Sequence, residues 1–301
     1  APTPGAIAEA TATAQAGAAA AEAATANAPR VAIDTPALEG SISLIGGRID
    51  DLLLKSYKET LDPNSPDVRL LAPVGTDYVE KPYYAVYGWL PAGNMDPALV
   101  PGANTLWTED GTNTLTPTTP VKLSWDNGAG LIFHREVSVD EKFLFTVTQS
   151  VENNTGAAVR LAPYGIVARH GRPDGKAFYV LHEGAVRMSD GTLEEVSYKD
   201  ITKLDKIDRE GQAEVIDVTE NGWVGITDKY WMTTIAPMPG QGFQSVVKYT
   251  PNGDIYQTEA RMPVVEVAPG ASSSISTMLF SGAKEWRTIK DYEADKGILG
   301  F

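Results

Sequence analysis

From Val121 to Thr148 the chain alternates apolar and polar side chains with a period of two, a pattern that fits antiparallel sheet and no helix. Val121, Leu123 and Trp125 share one strand face. Asn127-Gly128 is a hairpin signal, after which Leu131, Phe133, Arg135, Val137 and Val139 resume the same period. Phe143, Phe145 and Val147 then alternate with Leu144, Thr146 and Thr148, until Asn153-Asn154-Thr155-Gly156 turns the chain again. Each strand of this kind has one face for a core and one for water or a second layer. Long antiparallel meander strands place the chain in the mainly β class.

The flanking regions extend this reading. Residues 1–28 hold 15 alanines and one large aliphatic residue, Ile7, so this stretch has no apolar stripe with which to dock and reads as a disordered linker, taken to residue 30. Strand texture begins at Val31. Ile42 and Leu44 alternate, Gly46-Gly47 breaks the pattern, and Ile49, Asp51, Leu53, Lys55 and Tyr57 set up a second period of two. Leu52 and Leu54 spoil its polarity, which suggests a strand covered on both sides. Residues 60–120 are rich in Pro, Gly and Asn and read as loops between shorter strands. Strands resume at Trp223 and at Ser245 to Tyr249, Asn252-Gly253 is another hairpin turn, and Val264 to Val267 leads through Pro269-Gly270 into Ser274 to Phe280. The body of the domain is thus expected over 31–280. After Phe280 the period changes: Ala283, Trp286, Ile289 and Tyr292 recur at spacing three, with Gly297 as a stop, which predicts a helical segment over 281–301.

Composition narrows the function classes. With 25 basic and 39 acidic residues the chain carries a formal charge of −14, so nucleic acid and anionic lipid would both repel its body. It has no cysteine, which removes disulfides, thiolate chemistry and cysteine zinc sites. No apolar run approaches the roughly 18 residues of a membrane span, and Ala1 opens no signal sequence, so the chain as it stands reads as soluble.

Chemistry-bearing motifs are sparse. His134, His170 and His182 read as surface or internally satisfied histidines, because no second ligand falls at metal spacing. There is no nucleophile elbow, phosphate-binding glycine loop or EF-hand loop. The acid-rich stretch from Asp190 to Glu220 reads as a solvated face, with Glu194, Glu195, Asp205 and Asp208 as a candidate surface for a basic partner. Gly222 to Ile226 followed by Tyr230-Trp231 is an aromatic patch best read as core. In the terminal segment Lys284, Arg287, Lys290 and Lys296 balance Glu285, Asp291, Glu293 and Asp295, so a neutral amphipathic end closes an acidic body. Trp286, Ile289 and Tyr292 are expected to form one stripe that covers the sandwich or a neighbouring element. With Lys284 they are the candidate interface residues. No catalytic, metal-binding or cofactor-binding residue is expected, and no cofactor.

Three segments, in this order, resemble the large periplasmic domain of the YidC membrane-protein insertase family: Ser43 to Tyr57, Gly222 to Pro237, and Val267 to Gly270 running into Leu279 to Lys284. The likeness extends from about Val31 to Phe301. Gly282-Ala283-Lys284 departs from the Gly-Pro-Lys usual in that family. The resemblance implies an antiparallel β-supersandwich similar to galactose mutarotase, closed by a short C-terminal helical segment. It implies a periplasmic domain of a bacterial inner-membrane protein, in contact with the membrane only through flanking spans absent from this chain. The function it implies is that of a non-enzymatic accessory domain of an insertase working alone or with the Sec translocon, with translocon components and nascent inner-membrane proteins as partners of the full-length protein.

The rival reading is a carbohydrate-binding or aldose-epimerase-like protein of the same fold. It needs a general acid and base flanking one anomeric carbon, for which His170 and Glu266 are the candidates.

Overall fold

The computed structural model describes residues 28–75, 81–173, 182–298 and 300–301, and in it the period-two strands build two sheets laid face to face. The smaller, nine-stranded sheet runs Thr192–Ser197, Gly184–Ser189, Gly222–Thr227, Trp231–Pro237, Ser272–Ala283, Leu144–Asn153, Leu131–Val139, Val121–Asp126 and Thr108–Glu109, each antiparallel to the next. The larger has twelve strands. Its main path is Lys206–Ile207, Gly211–Val218, Phe243–Thr250, Ile255–Arg261, Val159–His170, Tyr83–Pro91, Arg48–Lys58, Leu38–Ser43, Arg30–Asp34 and Thr114–Leu115. Val265–Val267 adds to Val159–His170 and Asp67–Leu71 to Arg48–Lys58.

The alternation is realised where it is clearest. Leu131, Phe133, Arg135, Val137 and Val139 are all buried, and register sets Val139, Val137 and Phe133 opposite Phe145, Val147 and Val151. Fully burying one such side chain stabilises the fold by about 1.5–3 kcal/mol, which is why a one-residue slip is not tolerated. The same face carries one charge, Arg135, set opposite Gln149. The core between the sheets is continuous, from Val31 and Leu38 through Phe133 and Phe145 to Phe280.

Several expectations need correction. Residues 60–120, expected as loops between shorter strands, include a long one: Tyr83–Pro91 is a central strand of the larger sheet, buried at eight of nine positions, and a strand covered on both faces has no alternation to read. In Arg48–Lys58 the fully buried positions Leu52 and Leu54 face the core, while Leu53 is only half-buried. Residues 1–27, most of the expected linker, lie outside the described residues. Arg30, its expected last residue, already belongs to a strand and ion-pairs with the buried Asp50. At the other end the strand Ser272–Ala283 runs past Phe280, so Ala283 pairs with Trp231 instead of opening a helix. Two α-helices are described, the single turn α1 (Tyr198–Ile201) and the three-turn α2 (Trp286–Lys296).

Candidate functional site

α2 begins after Glu285 and stops at Gly297, whose φ of 68° is the left-handed conformation that ends helices. Its buried residues are Thr288 and Tyr292, one helical turn apart. The Tyr292 ring meets Phe280 edge-on at 6.0 Å, and its hydroxyl donates to Asp140 at 2.6 Å while accepting from the Phe143 amide at 3.2 Å. Glu285 takes hydrogen bonds from Tyr57 of the larger sheet (2.7 Å) and from Thr288 (2.6 Å), with Lys142 of the smaller sheet's turn at 3.5 Å. The helix start thus ties both sheets together.

The expected single stripe is not formed. Trp286 is 75% exposed, Ile289 is half-buried and Tyr292 is buried, because steps of three drift off one helical face. Lys290 sits over the Trp286 ring at 5.0 Å. Lys284 lies just before the helix; its ammonium donates to Thr227 at 3.0 Å, and burial pushes it below the ordinary lysine range. Its amide bonds the carbonyl of Tyr230, a second exposed aromatic.

The acidic stretch is less uniformly solvated than expected. Glu194 and Glu214 each hold the buried Arg187 at 2.6 Å, so Glu194 is engaged within the fold. Glu210 is buried and bonds Lys248 (2.9 Å) and Arg261 (2.6 Å). Burial would raise its carboxyl, but the hydrogen bonds and charges of Arg261 and Lys248 hold it down at about 2. Glu195, Asp205 and Asp208 are exposed. Among the described residues no group of three or more His, Asp or Glu side chains is placed to hold a metal ion.

A second feature lies on the outer face of the larger sheet, a cleft with about 520 Å³ of empty space, open to solvent. Tyr84 and Val86 of one strand, Tyr164, Ile166 and Ala168 of the next and Gln257 beyond them form its floor, and Pro101 to Ala103 form a lip. Arg48 closes one end. It follows Gly46-Gly47, and that pair makes room for two arginines. A Cβ on Gly47 would lie 2.2 Å from Nη1 of Arg135, and one on Gly46 would lie 2.8 Å from the Ala103 carbonyl and 3.2 Å from Nε of Arg48. Arg135 points between the sheets, donates to the carbonyls of Gly47 (2.7 Å) and Tyr87 (2.6 Å), and lies over Trp107 at 4.6 Å. Burial lowers it to about 10.

Arg48 points the other way, into the cleft, 5.4 Å from the centre of the Tyr84 ring. The Tyr84 hydroxyl lies 3.4 Å from Nε2 of His170. Burial, then the nearby Arg48 charge, lowers the His170 pKa. Sequence reasoning missed Arg48, Tyr84 and Gln257; the glycine pair before an arginine was the available signal. The proposed acid–base pair does not assemble. Glu266 is registered against Arg160, ten positions from His170 along Val159–His170, a separation of about 33 Å at 3.3 Å per residue. His134 bonds the half-exposed Glu152 at 3.0 Å and His182 the Ala185 carbonyl at 2.8 Å, so the three histidines do not converge.

Residues 30–298 match the family model described as the YidC periplasmic domain. The chain is 55% identical over 316 residues to the membrane protein insertase YidC of Paracoccus denitrificans, covering 99% of this chain and 50% of that protein. It is 59% identical over 278 residues to the protein of the same name from Dinoroseobacter shibae, covering 92% of this chain and 45% of that one. The chain therefore spans about half the length of the curated relatives it matches. In structure it resembles a galactose mutarotase related enzyme from Lactobacillus acidophilus, with a TM-score of 0.56, 10% identity, and coverage of 84% of this chain and 97% of that one. At that identity the likeness concerns the fold, and it supports the mutarotase-like supersandwich expected above.

Proposed function

Because the chain belongs to the YidC periplasmic domain family, we propose that in the whole protein it serves as a non-catalytic interaction domain of a periplasm-facing insertase of the inner membrane. It acts with the parts of that protein outside this chain in the insertion and folding of inner-membrane proteins, alone or together with the Sec translocon. The observation that carries this reading is the division of labour in α2. Tyr292 and Glu285 fasten the helix to both sheets, while Trp286, backed by Lys290, is turned to solvent. A large aromatic ring held outward on a rigid helix is the kind of anchor that protein interfaces use. Lys284 and Ile289 flank it as supports. Glu195, Asp205 and Asp208 are proposed as a separate acidic surface for a basic partner, without Glu194, which is already engaged with Arg187.

The test separates fastening from docking. Trp286→Ala leaves the melting temperature of this chain within about 1 °C, since an exposed surface side chain contributes little to stability, yet impairs insertion by the full-length protein in cells. Tyr292→Ala costs about 3–5 kcal/mol of stability. Normal insertion by the Trp286→Ala protein would falsify the docking role.

A further inference from the structure

Charged side chains inside a protein are paired, because an isolated buried charge is costly by several kcal/mol. Arg48 breaks that rule. It is 1% exposed, its Nε and Nη1 make no hydrogen bond, and it forms no ion pair among the described residues. Asp50, two residues on, feels the Arg48 charge but makes its ion pair with Arg30, while Glu259 pairs with Arg261 and Asp254 accepts from Tyr249 at 2.9 Å. Among the uncharged neighbours the Tyr84 ring, 5.4 Å away, offers its face, but no hydrogen-bond acceptor meets Nε or Nη1. Tyr84 lies beneath it with its hydroxyl directed to His170, and burial drives the Tyr164 phenol up to about 12, where it stays protonated. The arginine also lines the solvent-open cleft, whose floor is largely apolar and aromatic.

We propose that this cleft binds a small organic acid, whose single carboxylate accepts a hydrogen bond from a free N–H of Arg48 while its flat apolar or aromatic body lies along Tyr84, Val86, Tyr164 and Ile166. A carboxylate and a guanidinium N–H form a charge-assisted hydrogen bond, and the low-polarity floor strengthens the pair. A phosphate fits less well. Its second charge would need another cation, and the buried candidates on this face, Lys248 and Arg261, are neutralised by Glu210 and Glu259. Gln257, at the far side of the floor, adds polar character without charge. The site is independent of α2 and of its proposed docking role.

The probe is phenylacetate, added to the 301-residue chain, with phenylacetamide, inorganic phosphate and galactose as comparisons. Phenylacetate is expected to raise the melting temperature saturably, by about 3 °C at ten times its Kd, and to move the Nε–H resonance of Arg48; the other three compounds do neither. Arg48→Met, which replaces an unpaired buried charge with an apolar chain of similar length, is expected to fold at least as stably as the parent and to lose the response. The proposal is overturned if phenylacetate moves neither signal, if phenylacetamide or galactose matches it, or if phosphate binds more tightly. If Arg48→Met does not fold, the Nε–H resonance of the unaltered chain decides alone.

Discussion

At Gly47 a missing Cβ does two things at once. The residue has φ of +60°, which a side chain strains, and its Cα faces Nη1 of Arg135, which fills the space a methyl would need. Gly93 separates the two effects: its φ is +74°, but nothing lies within 4 Å of a Cβ there. Gly93→Ala should therefore cost only the backbone strain, about 1 kcal/mol. Gly47→Ala adds overpacking and displaces Arg135 from its carbonyl partners, for a total of about 3–5 kcal/mol. Urea denaturation of the two variants measures the difference, and equal losses would mean that Arg135 moves aside freely. The glycine pair was visible in the sequence as a break between strands. Its reason was not, because Arg135 reaches it from a strand 88 residues away.

Elements explain both what was legible and what was not. Strands with one buried face, such as Leu131–Val139, declare themselves by alternation, whereas Tyr83–Pro91 is covered on both faces and hides among Pro- and Gly-rich neighbours. The cleft was illegible for a related reason: Arg48, Tyr84, Ile166 and Gln257 come from four strands that only long-range register brings together. The acidic stretch misled because charge was counted without partners. Glu210 sits in the turn between Lys206–Ile207 and Gly211–Val218, and its bonds to Lys248 and Arg261 clamp that hairpin onto the larger sheet. Its carboxyl is held at about 2, below its ordinary 4.5. A lowered native pKa means that the unfolded chain takes up the proton first as pH falls. The clamp is therefore at full strength above about pH 4.5 and is lost as the pH drops towards about 2. Glu210→Gln is expected to cost about 3–5 kcal/mol at pH 7, since two buried cations lose a partner, and to weaken the acid sensitivity in that window. Unchanged sensitivity in stability measured from pH 7 to 2 would put the titrating clamp elsewhere.

For the molecule as a whole, the path of the chain matters more than any single contact. The smaller sheet is assembled from residues 108–109, 121–153, 184–197, 222–237 and 272–283, and the larger one from strands within 30–91, at 114–115, at 159–170 and within 206–218 and 243–267. Neither sheet is a continuous piece, and one core runs between them. Chains longer than about 150 residues often unfold through intermediates, usually domain by domain. Here separation of the sheets would expose the common core of both at once, so a half-unfolded state keeps little of its stabilising burial. The expectation is a single transition in urea, with far-UV circular dichroism and tryptophan fluorescence coinciding. Phe133, fully buried and 6.2 Å from Trp89 of the opposite sheet, tests the coupling. Phe133→Ala should lower stability by about 3–5 kcal/mol and move both signals by the same amount, although the residue belongs to the smaller sheet alone. If fluorescence shifts while the circular dichroism transition stays in place, the sheets unfold separately. The rigid frame that fastens α2 to both of them would then be only as stable as the weaker sheet.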